Sequence, residues 1–83
     1  MARVFISLNH KPEKYDVAIS IYSEQGRLVE EREYRGVKQV VLKAREVRVS
    51  AQLASNPIVL IAELDNPSIE VVGEDILSIG EKA

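Results

Sequence analysis

YDVAISIYSEQGRLVEEREY, residues 15–34, is the stretch that decides the fold. Three β-branched residues in it alternate with smaller or polar ones, the period-2 pattern of a strand with one buried face: Val17, Ile19 and Ile21. SEQG at 23–26 is typical of a hairpin turn, because Gly26 can take the positive φ that such turns need. The returning segment is highly charged, which predicts an edge strand that resists further pairing.

The alternation continues on both sides of this hairpin. Upstream, Val4, Ile6 and Leu8 share one face of a strand, and Phe5 lies on the other. The intervening NHKPEK is interpreted as a loop. Downstream, residues 46–53 alternate again, although a helix over 43–54 is an alternative that the β-branched residues disfavour. The inward face of this strand is predicted to hold Val47, Val49, Ala51 and Leu53.

Shorter strands complete the pattern. They are predicted over 37–42, 58–64, 68–73 and 75–80, with turns at Arg35-Gly36 and at Gly73. Pro57 should stand at the start of the 58–64 strand and Pro67 beyond its end, because proline cannot donate to a ladder. Seven or eight short strands without a convincing helix predict a single all-β domain over 1–83, a small antiparallel sandwich or a partly closed barrel.

The composition narrows what can stabilise and surround this domain. A chain of 83 residues buries only about 60–65% of its unfolded surface. Its margin of stability is therefore thin without a disulfide, a metal or a partner. Cys is absent, which leaves association with other copies as the available stabiliser. No apolar run is long enough for a membrane helix, and the N-terminus lacks a signal-peptide pattern, so we expect a cytoplasmic protein with a thermophile-like composition.

The run Ile58–Ala62 is the best pointer to such association. It is apolar on both faces of its strand, with Ile58, Leu60 and Ala62 on one side and Val59 and Ile61 on the other. If Val59 and Ile61 stayed exposed to water, the domain would lose several kcal/mol of hydrophobic stabilisation, at about 25 cal/mol per Å2 of apolar surface. We therefore predict a structural or interaction module that forms homo-oligomers, or docks another protein, through four residues of two-sided strands: Val59, Ile61, Val40 and Val72.

Charge is unevenly distributed and suggests a second function. Residues 32–48 sum to +4 and residues 49–83 to −5, so the two regions could attract each other. The alternative hypothesis is a nucleic-acid-binding β protein that uses the basic segment, whose candidate contacts are Arg32, Arg35, Lys38, Lys43, Arg45 and Arg48. The acidic pI of about 5.4 argues against it.

The sequence offers little for catalysis. A nucleophilic pair would have to use His10, the single histidine, and the paired carboxylates Glu31 and Glu33 lack an apolar pocket that could raise a pKa. The four glycines are spread out and form no phosphate-binding loop. We expect no enzyme activity, no catalytic residue, no metal and no cofactor.

Residues 15–53 resemble the hairpin core of prealbumin-like and carboxypeptidase-regulatory-like sandwich modules. The resemblance implies a β-sandwich with a structural or docking role rather than catalysis. Arg45-Glu46 stand where those modules usually have Gly-Tyr. The matching positions are Val17, Ile19, Ile21, Gly26, Val29, Gly36, Val40, Leu42, Val47, Val49 and Ala51.

Overall fold

The computed structural model describes residues 1–49 and 57–82, and in these residues it is all-β. The prediction of an all-β class with up to eight strands is confirmed, and the described residues contain no helix. The strands are β1 (Ala2–Lys11), β2 (Lys14–Tyr22), β3 (Leu28–Val37), β4 (Gln39–Leu42), β5 (Glu46–Val49), β6 (Ile58–Leu64), β7 (Pro67–Val71) and β8 (Ile76–Glu81).

The strands form two sheets that enclose one core. The larger sheet has the order β3-β2-β1-β6-β5, and the smaller has the order β4-β8-β7. Neighbouring strands are antiparallel except for β4 and β8, which run parallel. The buried core draws side chains from both sheets: Val4, Ile6, Val17, Ile19, Ile21, Val37, Leu64, Leu77 and Ile79.

The long β1–β2 hairpin supplies the centre of this core. Val4 pairs with Ile21 and Ile6 with Ile19, which confirms the predicted inward faces of both strands. Interpretation of NHKPEK as a loop was wrong, because β1 continues to Lys11 and only residues 12 and 13 form the turn. Pro12 ends the hydrogen-bond ladder between β1 and β2, because its backbone nitrogen has no N–H to donate.

Glu13 occupies the left-handed region, with φ 64°. That conformation costs a residue with a side chain about 1–2 kcal/mol. Glycine avoids this cost but loses about 0.5–1 kcal/mol of stability, because its unfolded chain has more conformational entropy. We expect Glu13→Gly to raise the free energy of unfolding by about 0.5–1 kcal/mol, measured by urea denaturation. Gln25→Gly is the control, because this exposed turn residue has no positive φ and should be destabilised instead. Equal destabilisation of the two variants would contradict the expectation.

β3 lies at an edge of the larger sheet, as its charge predicted. The predicted turn at Arg35-Gly36 is wrong: the strand continues to Val37, and Gly36 (φ 72°) lies where the pairing with β2 shifts register. Such a bulge bends the strand. The chain then changes sheet at Lys38, whose N–H donates to the Asp75 carbonyl at 2.8 Å.

The larger sheet is wider than the sheet that covers it. Five strands span about 24 Å and three about 14 Å at the usual spacing. The outermost strands therefore carry exposed residues on their core-facing side, such as Arg32, which pairs with Ile19, and Val47, which pairs with Ala62. Val47 faces inward as predicted but is 41% exposed. The predictions for Ala51 and Leu53 lie outside the described residues.

β6 begins directly after Pro57, as predicted, and Pro67 starts the next strand. Its faces also follow the prediction. Ala62 and Leu64 are buried and Leu60 packs against the core, whereas Val59 and Ile61 lie on the opposite side of the sheet. Gly73 takes φ 68° in the predicted corner between β7 and β8.

Candidate interaction surface

The outer face is the side of the five-stranded sheet that points away from the core. Strand register places its residues in rows that cross the sheet. One row contains, from β3 to β5, Glu31, Ser20, Phe5, Ile61 and Arg48. The next row contains Glu33, Ala18, Ser7 and Val59. These two rows define the centre of the outer face.

An apolar ridge runs along β1 and β6 in these rows. Val59, Ile61 and Phe5 are each partly exposed, and the Phe5 ring meets Tyr22 edge-on, with ring centroids 5.4 Å apart. Such edge-to-face contacts fix aromatic rings in place. In the part of the chain that the structure describes, no third layer lies over this ridge. Among the described residues the ridge is therefore open to solvent.

A groove runs beside the ridge along β2. Its floor is formed by the small side chains of Ala18 and Ser20, and the carboxylate residues Glu31 and Glu33 of β3 form its far wall. Two shallow depressions of about 290 and 320 Å3 lie along it, and both are lined by Ala18 and Glu33. In its two central rows the outer face thus has large residues on β6 and small residues on β2, on either side of β1.

The predicted self-association residues do not all belong to this face. Val59 and Ile61 lie together on it. Val40 belongs to β4 of the smaller sheet and packs against the core, so it is not part of the outer face. Val72 is 48% exposed in the β7–β8 turn, where its N–H donates to the Ile76 carbonyl at 2.7 Å. Phe5, Ala18 and Ser20 were not predicted to take part in association, because their position relative to β6 depends on strand order.

The six basic residues of 32–48 are not gathered on one surface. Arg32 lies on the core-facing side of β3, whereas Arg48 lies on the outer face of β5 at the opposite edge of the sheet. Several have carboxylate partners: Arg45 Nη2 is 2.9 Å from Asp65 Oδ2, and Lys38 Nζ is 3.7 Å from Asp75 Oδ2. These two pairs link the basic region to the acidic C-terminal region, the attraction that the charge distribution suggested.

Arg35 and Lys43 complete the set. Arg35 is exposed beside the β3 bulge, and Lys43 follows β4, where its N–H donates to the Ile79 carbonyl at 2.9 Å. Arg32 contacts the Glu30 carboxylate and the Tyr34 hydroxyl within its own strand, at 2.7 and 3.2 Å. The hydrogen bonds to Tyr34 and to Glu30 raise the pKa of its guanidinium above the usual value.

A further charged contact closes the β1–β2 hairpin. Lys11 Nζ lies 2.7 Å from Asp16 Oδ2. The hydrogen bond from Lys11 is the main reason that the pKa of Asp16 is below its usual value of 3.8. Because the folded pKa is the lower one, this contact stabilises the fold above the unfolded pKa and is lost as pH falls through the folded pKa. Both side chains remain partly exposed to water, which keeps the effect small.

Residues 1–49 and 57–82 contain no group of three or more His, Asp or Glu side chains placed to hold a metal. The His10 ring lies at a tilt beside the Tyr15 ring near the end of β1, with ring centroids 5.1 Å apart. Within the same described ranges no helix is long and apolar enough to span a membrane. Among the described residues, the outer face with its apolar ridge and adjoining groove is the candidate interaction surface.

No family model matches the sequence, and neither a curated protein nor a solved structure matches the chain. The resemblance to prealbumin-like and carboxypeptidase-regulatory-like modules therefore stays a prediction. Function has to be argued from the outer face itself.

Proposed function

We propose that the protein is a non-catalytic interaction module that self-associates through the outer face of its five-stranded sheet. The observation that carries the proposal is the accessible ridge of Phe5, Val59 and Ile61 on a sheet whose other face already holds the core. A face-to-face sheet contact is the ordinary way to cover such a ridge, and a second copy is the partner that is always present.

The size of the face suits a modest, reversible association. Five strands and about seven residues of strand length give about 24 by 23 Å, or about 550 Å2 per subunit. Two subunits would then bury about 1,100 Å2, near the lower end of specific interfaces. We therefore expect association in the micromolar range rather than an obligate dimer.

Light scattering after size-exclusion chromatography tests the proposal. At about 100 μM the molar mass should approach twice the 9.3 kDa of the chain, and it should fall toward 9.3 kDa on dilution to about 1 μM. Sodium sulfate up to about 1 M should strengthen or preserve the dimer, because a salt excluded from the protein surface favours burial of the apolar ridge. A mass of one chain at every concentration up to 1 mM would overturn the proposal.

Nucleic-acid binding through 32–48 is the rival hypothesis, and the spread of its six basic residues over both faces and both edges of the sheet gives it no support. The same measurement separates the two functions. Added oligonucleotide should leave the mass unchanged at low salt if the proposal is correct. A mass increase that disappears at high salt would favour the rival.

A further inference from the structure

We infer that two copies associate face to face about a two-fold axis that lies between the outer faces and runs along β1. The inference rests on the proposed function and specifies how the partner copy is placed. Rotation about this axis places the β2–β3 half of one sheet over the β6–β5 half of the other. Strand β2 of one copy then faces β6 of the other, and β3 faces β5. Sheets packed in this way keep their strands within about 30° of each other.

Shape is the first observation that selects this axis. The ridge residues Val59 and Ile61 lie on β6, one strand to one side of β1, and the small residues Ala18 and Ser20 lie on β2, one strand to the other side. Register places Ile61 level with Ser20, and Val59 level with Ala18, through Phe5 and Ser7 of β1. The proposed axis therefore seats Val59 and Ile61 of each copy in the groove of the other, and Phe5 lies on the axis against Phe5 of the second copy.

The alternative two-fold axis lies in the same plane but runs across the strands. It would place β6 over β6 and β2 over β2, so that ridge meets ridge and groove meets groove. Large side chains would then hold the sheets apart while the small-residue groove remained empty, which close packing disfavours. Only the axis along β1 fills the groove.

Charge is the second observation, and it selects the same axis independently. Glu31 on β3 and Arg48 on β5 are at opposite edges of the outer face but in the same row. The axis along β1 brings Glu31 opposite Arg48 of the partner subunit, and symmetry makes this contact twice. The axis across the strands would bring the acidic edges of the two copies together instead.

Both partners in this contact are exposed at the edges of the sheet. The Arg48 side chain is 70% exposed, and its contact with Glu46 Oε1 is loose at 3.3 Å. A guanidinium has five N–H donors, so this contact leaves several for a second carboxylate. Arg3 lies on β1 near the axis, where the Glu63 carboxylate is 4.0 Å from its Nη2 and balances its charge.

Charge reversal tests the inference on the full chain. Glu31→Arg and Arg48→Glu should each raise the dimer Kd about tenfold, because each places two like-charged pairs at the interface. The double variant restores opposite charges and should return the Kd to within about threefold of the wild type. Glu70→Arg is the matched control, because Glu70 is exposed on β7, in the other sheet, and its Kd should not change.

Cross-linking gives a second measurement that does not depend on interaction strength. The chain has no Cys, so Glu31→Cys and Arg48→Cys each carry one thiol. A short bis-maleimide should link the two variants when they are mixed. It should link neither variant to itself, because identical positions in the dimer would be about 19 Å apart across four strand spacings.

The outcomes separate this inference from the proposed function. A dimer in which Glu31→Cys links to itself, or in which the reversals have no effect on Kd, would overturn the axis and leave self-association standing. A wild-type chain that is monomeric at every concentration would overturn both. Rescue by the double variant together with mixed cross-linking would establish the axis along β1.

Discussion

Leu77→Ala should lower the free energy of unfolding by about 2–5 kcal/mol. Leu77 is 0% exposed near the start of β8, where it closes the core from the smaller sheet. Truncation removes its transfer free energy and leaves a cavity that strands on both sides cannot collapse to fill. Since small domains have a total stability of about 5–15 kcal/mol, a large fraction of it should be lost. Urea denaturation followed by circular dichroism measures the loss.

Val71→Ala is the matched control for this variant. Val71 pairs directly with Leu77 across β7 and β8, yet it is 57% exposed. Its truncation should cost less than about 1 kcal/mol, mainly through reduced strand propensity. A loss at Val71 as large as that at Leu77 would show that the smaller sheet is covered by something other than the described core.

Val59→Lys and Ile61→Lys should each raise the dimer Kd by at least about a hundredfold while the chain remains folded. Each substitution places a charge at the centre of the proposed interface, where it would lose water without gaining a partner. Both side chains point away from the core, so the far-ultraviolet circular dichroism spectrum should be that of the wild type. Light scattering at about 100 μM should give the mass of one chain.

Val41→Lys provides the comparison. Val41 is also partly exposed, but it lies on the outer side of the smaller sheet, opposite Ser78. The same change of residue there should leave the dimer intact. Loss of the dimer in all three variants would indicate general destabilisation, and loss only in Val41→Lys would move the interface to the smaller sheet.

Local pattern predicted a large part of the fold. Alternation placed Val4, Ile6, Val17 and Ile19 on the core face because a strand sends successive side chains to opposite sides, whatever its neighbours are. The proline before β6 marked its start for an equally local reason. The turn at Arg35-Gly36 was mispredicted because a bulge and a turn both use a glycine with positive φ, and pairing with β2 decides between them.

The local alternation of apolar and polar residues could not predict the strand order or how the two sheets pack together. The parallel contact of β4 with β8 joins segments more than thirty residues apart, and no short stretch of sequence encodes such a partner. The same limit applies to Val40, which resembled Val59 as part of a two-sided apolar stretch but packs against the core in the smaller sheet.

By itself, the sequence determined where most of the strands lie, which of their faces are apolar, and that Val59 and Ile61 lie on the face opposite the core. Only the tertiary structure decided what lies beside them. It set Ala18 and Ser20 two strands away in the same rows, and it separated Glu31 from Arg48 by the full width of the sheet. The physical reason is that side-chain alternation is a local property of the backbone, whereas a surface is assembled from strands whose neighbours are fixed by hydrogen bonds between distant segments.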